Sequence, residues 1–361
     1  MLEKLAFEME FNKTEKWLIS GKSDQSEVLE MKSALLLDIN RKIQELDDES
    51  KKLLNQYNDL HNELLPLVDN IEQVGIDFDI DKLRKNGKLL LDNSKSENNR
   101  YRIEKSLEKL LNSLEGSKLK TKLNLIGGVT HRITTASYNI QGLPNEIKAC
   151  IIPSQYKRVF TIDFSAFEPS VAAYMSDDKA LIAYLKSDDG LYERLLKDLN
   201  LSSDYRNAVK VCFIGSFLFG GNYRNFKLNE EVPEREWHNL IKKFSDYMLL
   251  KNQVITSKKL IMPYGIENDV SHLNDKKVMG QYVQNVSSYI FKHVLNKVYI
   301  KQCINESFRI MLPIHDAIMI ECDTEEVAQS VANLMEETAN SLFEDSFAEV
   351  TIEEIGGRDN E

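Results

Sequence analysis

The stretch IMLPIHDAIMIEC, residues 310–322, constrains the fold more than any other part of the chain. Two apolar runs are separated only by His315 and Asp316, so the segment reads as a hairpin of two strands with both polar residues at its tip. A second acid occupies a similar place. Asp163 ends the β-branched and aromatic run RVFTID, after which EPSVAAYM opens a helix with Pro169 in its first turn. If the two strands share a sheet, the acids meet. Two carboxylates at about 4 Å repel by roughly 4 kcal/mol at an effective dielectric of 20, so the pair needs a proton or a cation. Oxygen ligands at strand ends with few other protein donors suit Mg²⁺, which keeps waters and borrows substrate phosphates. The alternative is that each Asp only caps a turn.

The rest of the chain reads as helix-rich. Residues up to about Leu64 are highly charged, with apolar positions three and four apart, as in long helices. Residues 66–83 carry a helix into Gly75 and then alternate Ile76, Phe78 and Ile80, and a charged helical pair follows to Leu114. Tyr205 to Phe219 and Val278 to Val298 read as helices, and the tail as a helix followed by a strand. There is no run of eighteen apolar residues, and the first residues mix acids with apolar side chains, so neither membrane spanning nor secretion is expected. The four cysteines have no paired spacing, which fits a reducing cytoplasm. A net charge of −11 argues against nucleic acid on average. The distribution argues otherwise: residues 116–145, 205–229 and 247–266 hold no acid but several cations, as a local anion-binding surface would.

Arg206 and Lys210 are spaced i, i+4 and share a helix face, which Phe213 and Ile214 continue one turn later. Such a pair can hold a triphosphate, although alone it is more often a solvated face. At this point the residues carry a resemblance. IDFSAFEPSVAAYMSDDKAL resembles the first catalytic motif of family A DNA polymerases, the bacterial DNA polymerase I group, with Asp163 and Glu168 at its acidic positions. Arg206, Lys210, Ile214 and Gly215 are similar to its fingers helix, and PIHDA to its His-Asp hairpin. Weaker blocks follow in family order: HRITTASYNIQGLP with Arg132, Asn139, Gln141 and Pro144; QNVSSYIFK with Gln284; VITSKKLIMP with Lys258 and Lys259; and PLVDNIEQVGIDFD at the domain entry.

The resemblance implies an α+β right-hand polymerase with an antiparallel palm sheet, helical fingers and a shortened helical thumb. It implies an N-terminal helical extension over 1–64, palm entry and thumb over 65–125, palm over 126–203 and 278–361, and fingers over 204–277. Asp163, Asp316 and the Phe164 carbonyl would hold two Mg²⁺ ions, with Mn²⁺ as an alternative. Lys210 would contact the triphosphate and protonate pyrophosphate, and Arg206 would hold the outer phosphates. Glu168 would exclude a ribose 2′-hydroxyl, with Tyr192, Phe213, Ile214 and Gly215 completing the nucleotide site. Arg132, Asn139, Gln141, Gln284, His315, Lys258 and Lys259 would contact primer-template DNA. The expected reaction is template-directed addition of deoxynucleotides to a primer 3′ end. The alternatives are a template-independent, priming or RNA-templated polymerase, and a catalytically weak protein that binds nucleic acid or a replisome partner.

The sequence also departs from the family pattern. Ala317 stands where an acid follows His-Asp, Ile214 where the fingers aromatic is expected with Phe213 as a substitute, Leu218 where a Tyr is expected, and Ser170 where an Arg is usual. Loss of that Tyr leaves Glu168 short of a partner and predicts weaker rejection of ribonucleotides. The short thumb predicts low processivity unless a partner docks on the N-terminal helices. The length leaves no room for a proofreading exonuclease, and the trimmed architecture fits a phage or mobile element in a bacterial cytoplasm.

Overall fold

The computed structural model describes residues 37, 39–41, 43–94, 96–135 and 138–357. Residues 1–36, on which most of the N-terminal docking expectation rests, lie outside the described residues. Helix α1, Asp48–Val74, opens where Asp47 accepts the Ser50 amide at 2.7 Å and closes at Gly75, whose φ of 68° favours glycine. It runs straight through the 64/65 boundary drawn from sequence, because its buried stripe of Leu60, Leu64, Leu67 and Ile71 continues at helical spacing. Strand β1, Ile76–Phe78, then leads into helices α2, Ile80–Asp92, and α3, Glu97–Ser113.

Strands β2, Leu114–Glu115, and β3, Lys118–Leu119, join β1 in a small sheet; β4, Leu123–Gly127, and β5, Arg132–Thr135, make a separate antiparallel ladder. The short helix α4, Asn145–Lys148, and strand β6, Ile151–Ile152, precede β7, Arg158–Ser165, and helix α5, Phe167–Ser176. Helices α6, Lys179–Leu185, α7, Leu191–Asp198, and α8, Arg206–Cys212, follow, and α8 runs into a π-helical segment, Phe213–Leu218. Beyond it lie α9, Glu234–Ile241, α10, Ser245–Ser257, the hairpin of β8, Lys259–Ile261, with β9, Glu267–Asp269, and the long helix α11, Asp275–Asn305. The chain ends in β10, Phe308–Ile314, β11, Ala317–Cys322, α12, Glu325–Phe343, and β12, Glu349–Gly357.

The main sheet has the order β10-β11-β7-β12 and is antiparallel throughout. Helices α11 and α12 pack together, and α12 covers β7, β11 and β12 on one face. Along β7 that face takes Phe160, Ile162 and Phe164, all buried, while Thr161, Asp163 and Ser165 turn the other way and are more accessible. The two-residue period therefore delivers Asp163 to an open face. No helix among the described residues is long and apolar enough to cross a membrane.

A buried ion pair ties the centre of this sheet to the chain entering it. Arg309 and Glu321 face each other across β10 and β11, with Nε donating to Oε1 at 2.5 Å, and Glu321 is 0% exposed. The same carboxylate also accepts the Ser154 amide and hydroxyl and the Gln155 amide. Removing one partner of such a pair strands the other charge in a low dielectric. Glu321→Ala should therefore lower the unfolding free energy in urea by about 3–5 kcal/mol. A loss below about 1 kcal/mol would show that Arg309 finds solvent instead.

Candidate active site

Pairing between β11 and β7 sets Ala317 opposite Asp163, so Asp316, one residue earlier in the tip of the hairpin, stands at the same end of the sheet. The tip is tight. His315 adopts a φ of 56°, which lets two residues join β10 to β11. Burial, then the charges of Asp163 and Glu168, push the Asp316 carboxyl up to about 7, with Arg132 acting against them. Asp163 reaches solvent but is ringed by protein, and its carboxyl is also raised by desolvation, against the pull of Lys210 and Lys148. The two acids expected from the sequence thus lie in one another's field, with Glu168 beside them.

A cleft of about 290 Å³ opens against Asp163. Phe164, Tyr192, Arg206 and Lys210 line it together with Glu193, Glu349 and Thr351. Two cations reach this space from α8, and both lie over the Tyr192 ring, Arg206 at 5.5 Å and Lys210 at 5.8 Å from its centroid. Arg206 is also paired with Glu193. Tyr192 is 4% exposed, and its hydroxyl has no hydrogen-bond partner among the described residues. A cleft with cations on one wall and a carboxylate on its floor is suited to a polyanion that brings its own divalent ion.

Glu168 lies at the start of α5 and pairs with Arg132 of β5, Nη2 to Oε1 at 2.5 Å. Glu168, expected from the sequence to lack a tyrosyl partner, is thus paired with an arginine. Ser170 is fully buried and donates back to the Ala166 carbonyl, in a space that excludes an arginine. His315 is solvent-exposed but lies within the field of Arg132 and Lys148, which with desolvation holds its imidazole below the usual value. Helix α11, which carries Gln284, holds the turn before Arg132: Asn285 donates to the Val129 carbonyl at 3.0 Å, and Ser288 donates to that of His131.

Other expected residues stand elsewhere. Phe213 is 0% exposed and packs against Phe217 and Phe244 at 4.9 and 5.7 Å, in the core and outside the cleft lining. Ile214 is half-buried, and Gly215 lies under Phe226, whose ring a Cβ there would meet at 2.5 Å. Gln141 is buried and its amide donates to the Ile133 and Pro313 carbonyls at 3.1 and 2.9 Å. It braces β5 against β10, where the sequence reading placed it on a DNA backbone. Lys258 is paired with Asp275 and Lys259 with Glu267, both at the β8–β9 hairpin and outside the cleft lining. Asn139 is exposed ahead of a short 3₁₀ turn.

The π-helical segment changes the register of the helix that continues α8. Phe219 N donates to the Ile214 carbonyl at 3.0 Å, five residues back, so Leu218 turns fully into the core. Phe219 instead meets α11 at Gly280, where a Cβ would lie 3.3 Å from its ring. Sequence reasoning also missed Lys148, a half-buried cation at the end of α4 that acts on both Asp163 and His315. Glu349 and Glu353 of β12 were missed as well; they flank Thr351, which pairs with Asp163. The alternation in EVTIEE places them on the Asp163 face, a signal that becomes readable once β12 is known to pair with β7.

The raised Asp316 carboxyl has a thermodynamic consequence. Its folded value of about 7 exceeds its ordinary 3.8, so the folded protein binds the extra proton between those limits, and the corresponding stability is lost as pH rises through them. Asp316→Asn removes the effect. In melting curves without divalent ions, the variant should match the parent near pH 4 and be the more heat-stable above about pH 7. Parallel curves across the range would show that Asp316 ionises freely.

The model for DNA polymerase family A matches residues 79–259, which is 181 of 361 residues and half the chain. DNA polymerase theta of Caenorhabditis elegans is 24% identical over 242 residues, covering 59% of this chain and 15% of that one. The Drosophila melanogaster theta polymerase is 20% identical over 269 residues, covering 62% of this chain and 13% of its own length. The chain thus spans only a small part of these curated relatives. Among solved structures, the POL domain of Pol1 from M. smegmatis, in complex with DNA primer-template and dNTP, superposes with a TM-score of 0.72 at 14% identity. That match covers 97% of this chain and 80% of the other, and shows a shared fold. On the family match, with the paired strand-end acids and the basic helix beside them, this chain belongs to DNA polymerase family A.

Proposed function

We propose that this chain is a DNA-directed DNA polymerase that adds deoxynucleotides to a primer 3′ end on a template, by nucleotidyl transfer dependent on two divalent ions. One observation carries the reading: Asp163 lines a cleft whose other wall is Arg206 and Lys210, and its charge acts on Asp316 at the same end of the sheet. The donor set fits a hard divalent ion. It consists of two carboxylates and the Phe164 carbonyl, all oxygen, and the raised carboxyls mark an anionic site short of positive charge. Bound there, Mg²⁺ would supply activation of the attacking hydroxyl and charge stabilisation at phosphorus.

The chain's own residues do the rest. Arg206 releases Glu193 and takes the outer phosphates of the nucleotide; Lys210 holds the triphosphate and hands a proton to the departing pyrophosphate, a role worth roughly 10² to 10⁴ in rate. The unpartnered Tyr192 hydroxyl gives the bound anion one more donor, while its ring keeps both cations at the cleft edge. Glu168, held by Arg132, would exclude a ribose 2′-hydroxyl, which makes deoxynucleotides the expected substrates. Arg132 and Gln284 would meet minor-groove acceptors that every correct pair presents. Exposed Asn139 and His315 remain candidates for the primer strand.

Ala317 supports a second reading, since the strand position opposite Asp163 carries a methyl group and the chain would then bind primer-template without turnover. Primer extension separates the two. With Mg²⁺ and dNTPs the full chain should extend a primer, and Asp163→Ala and Asp316→Ala should each lower the rate by at least about 10³ while primer-template binding persists. A parent protein that binds but never extends would favour the second reading. Glu168→Ala should raise ribonucleotide use relative to deoxynucleotide by roughly tenfold, measured as the ratio of kcat/KM values. An unchanged ratio would remove Glu168 from sugar selection.

A further inference from the structure

The π-helical segment after α8 is held by two side chains that no part of the proposed chemistry uses. The segment ends at Leu218, so its last carbonyls have no partner within the helix, and buried carbonyls need donors. Here the donors come from one face of α10. Tyr247 Oη donates to the Leu218 carbonyl at 2.8 Å, and Lys251 Nζ donates to that of Phe217 at 2.7 Å. The two residues are four apart, one turn of α10, and the carbonyls are consecutive. Tyr247 is 0% exposed. No salt bridge joins Lys251 to a carboxylate among the described residues, and burial pulls its ammonium down to about 8. A cation kept on backbone oxygens at that cost is a constraint, with Gly220 close against it: a Cβ there would meet Nζ at 3.4 Å.

The start of α10 is itself fixed. Asp178, 1% exposed, accepts the amides of Asp246 and Tyr247, both at 3.1 Å, as well as that of Leu181 at 2.9 Å. The clamp on the π turn is thus anchored to the body through α6, and the far end of the clamped helix carries Arg206 and Lys210 into the cleft. A one-residue slip back to α-helical register would rotate the clamped end by about 100° relative to α8.

We propose that Tyr247 and Lys251 are positioning residues for the nucleotide: by fixing the register of the π turn they place Arg206 and Lys210 over Asp163. This rests on the polymerase reading, and the test keeps the two separable. In primer extension by the full chain, Lys251→Met should raise KM for dNTP about tenfold with kcat reduced less than threefold and primer-template affinity unchanged, and Lys251→Arg should restore KM to within twofold. Tyr247→Phe, which removes only a hydroxyl, should shift KM in the same direction and serves if the Lys251→Met protein does not fold. Hydrogen exchange at the amides of Phe219, Gly220 and Gly221, bonded to Ile214, Ser216 and Gly215, should quicken in Lys251→Met without any nucleotide present. Folded variants with unchanged exchange and unchanged KM would overturn the proposal. If the parent does not extend primers, the polymerase reading fails, and the exchange measurement alone decides whether the clamp exists.

Discussion

The antiparallel register between β11 and β7 is the constraint on which the site depends. Ala317 faces Asp163, so the preceding hairpin tip lifts Asp316 to the same end of the sheet, although 153 residues separate the two acids (316 − 163). A one-residue slip in this ladder would turn Asp163 into the core under α12 and bring Ile162 or Phe164 to the cleft. The buried Arg309–Glu321 pair and the amide of Gln141 on Pro313 hold β10 and β11 in that register from either side. The stability of the sheet and the geometry of the acids are therefore one problem. The protein keeps two repelling carboxyls because the sheet leaves them nowhere else to go.

The electrostatics divide by wall. Burial raises both acids, with Asp163 and Glu168 adding to the rise at Asp316 and Glu353 to that at Asp163; from α8, Arg206 and Lys210 lie over the Tyr192 ring. Two ion pairs, Arg132 with Glu168 and Arg206 with Glu193, hold in reserve the charges that a nucleotide and a duplex would engage. On the proposed function, an incoming polyanion would exchange partners with Glu193 at Arg206 and not meet a bare cation.

What the sequence made legible is what local pattern encodes. The hairpin around His315 and Asp316, the strand ending near Asp163, the glycine stop after α1 and the helical pair expected over 83–114, found over 80–113, all follow from alternation, turn chemistry and capping. What it hid depends on tertiary contact. A π turn adds one residue to a helix without disturbing its apolar texture, so the burial of Leu218 and the turn of Phe219 toward Gly280 could not be read from periodicity. Phe213 follows its aromatic neighbours Phe217 and Phe244 into the core, since burying the ring there outweighs presenting it to an open cleft. Gln141 resembled a DNA contact by spacing, yet two carbonyls claim its amide. Lys148 and Lys251 lie in no motif, and only the folded chain brings one to the acids and the other to the π turn.

The central claim is that Asp163 and Asp316 share one electrostatic site. Carboxyl ¹³C NMR titration of Asp316 in protein free of divalent ions, with and without Asp163→Asn, tests it most directly. The account predicts a midpoint near 7 in the parent, moving down when the Asp163 charge is removed. A midpoint near the ordinary 3.8, unmoved by the substitution, would contradict it.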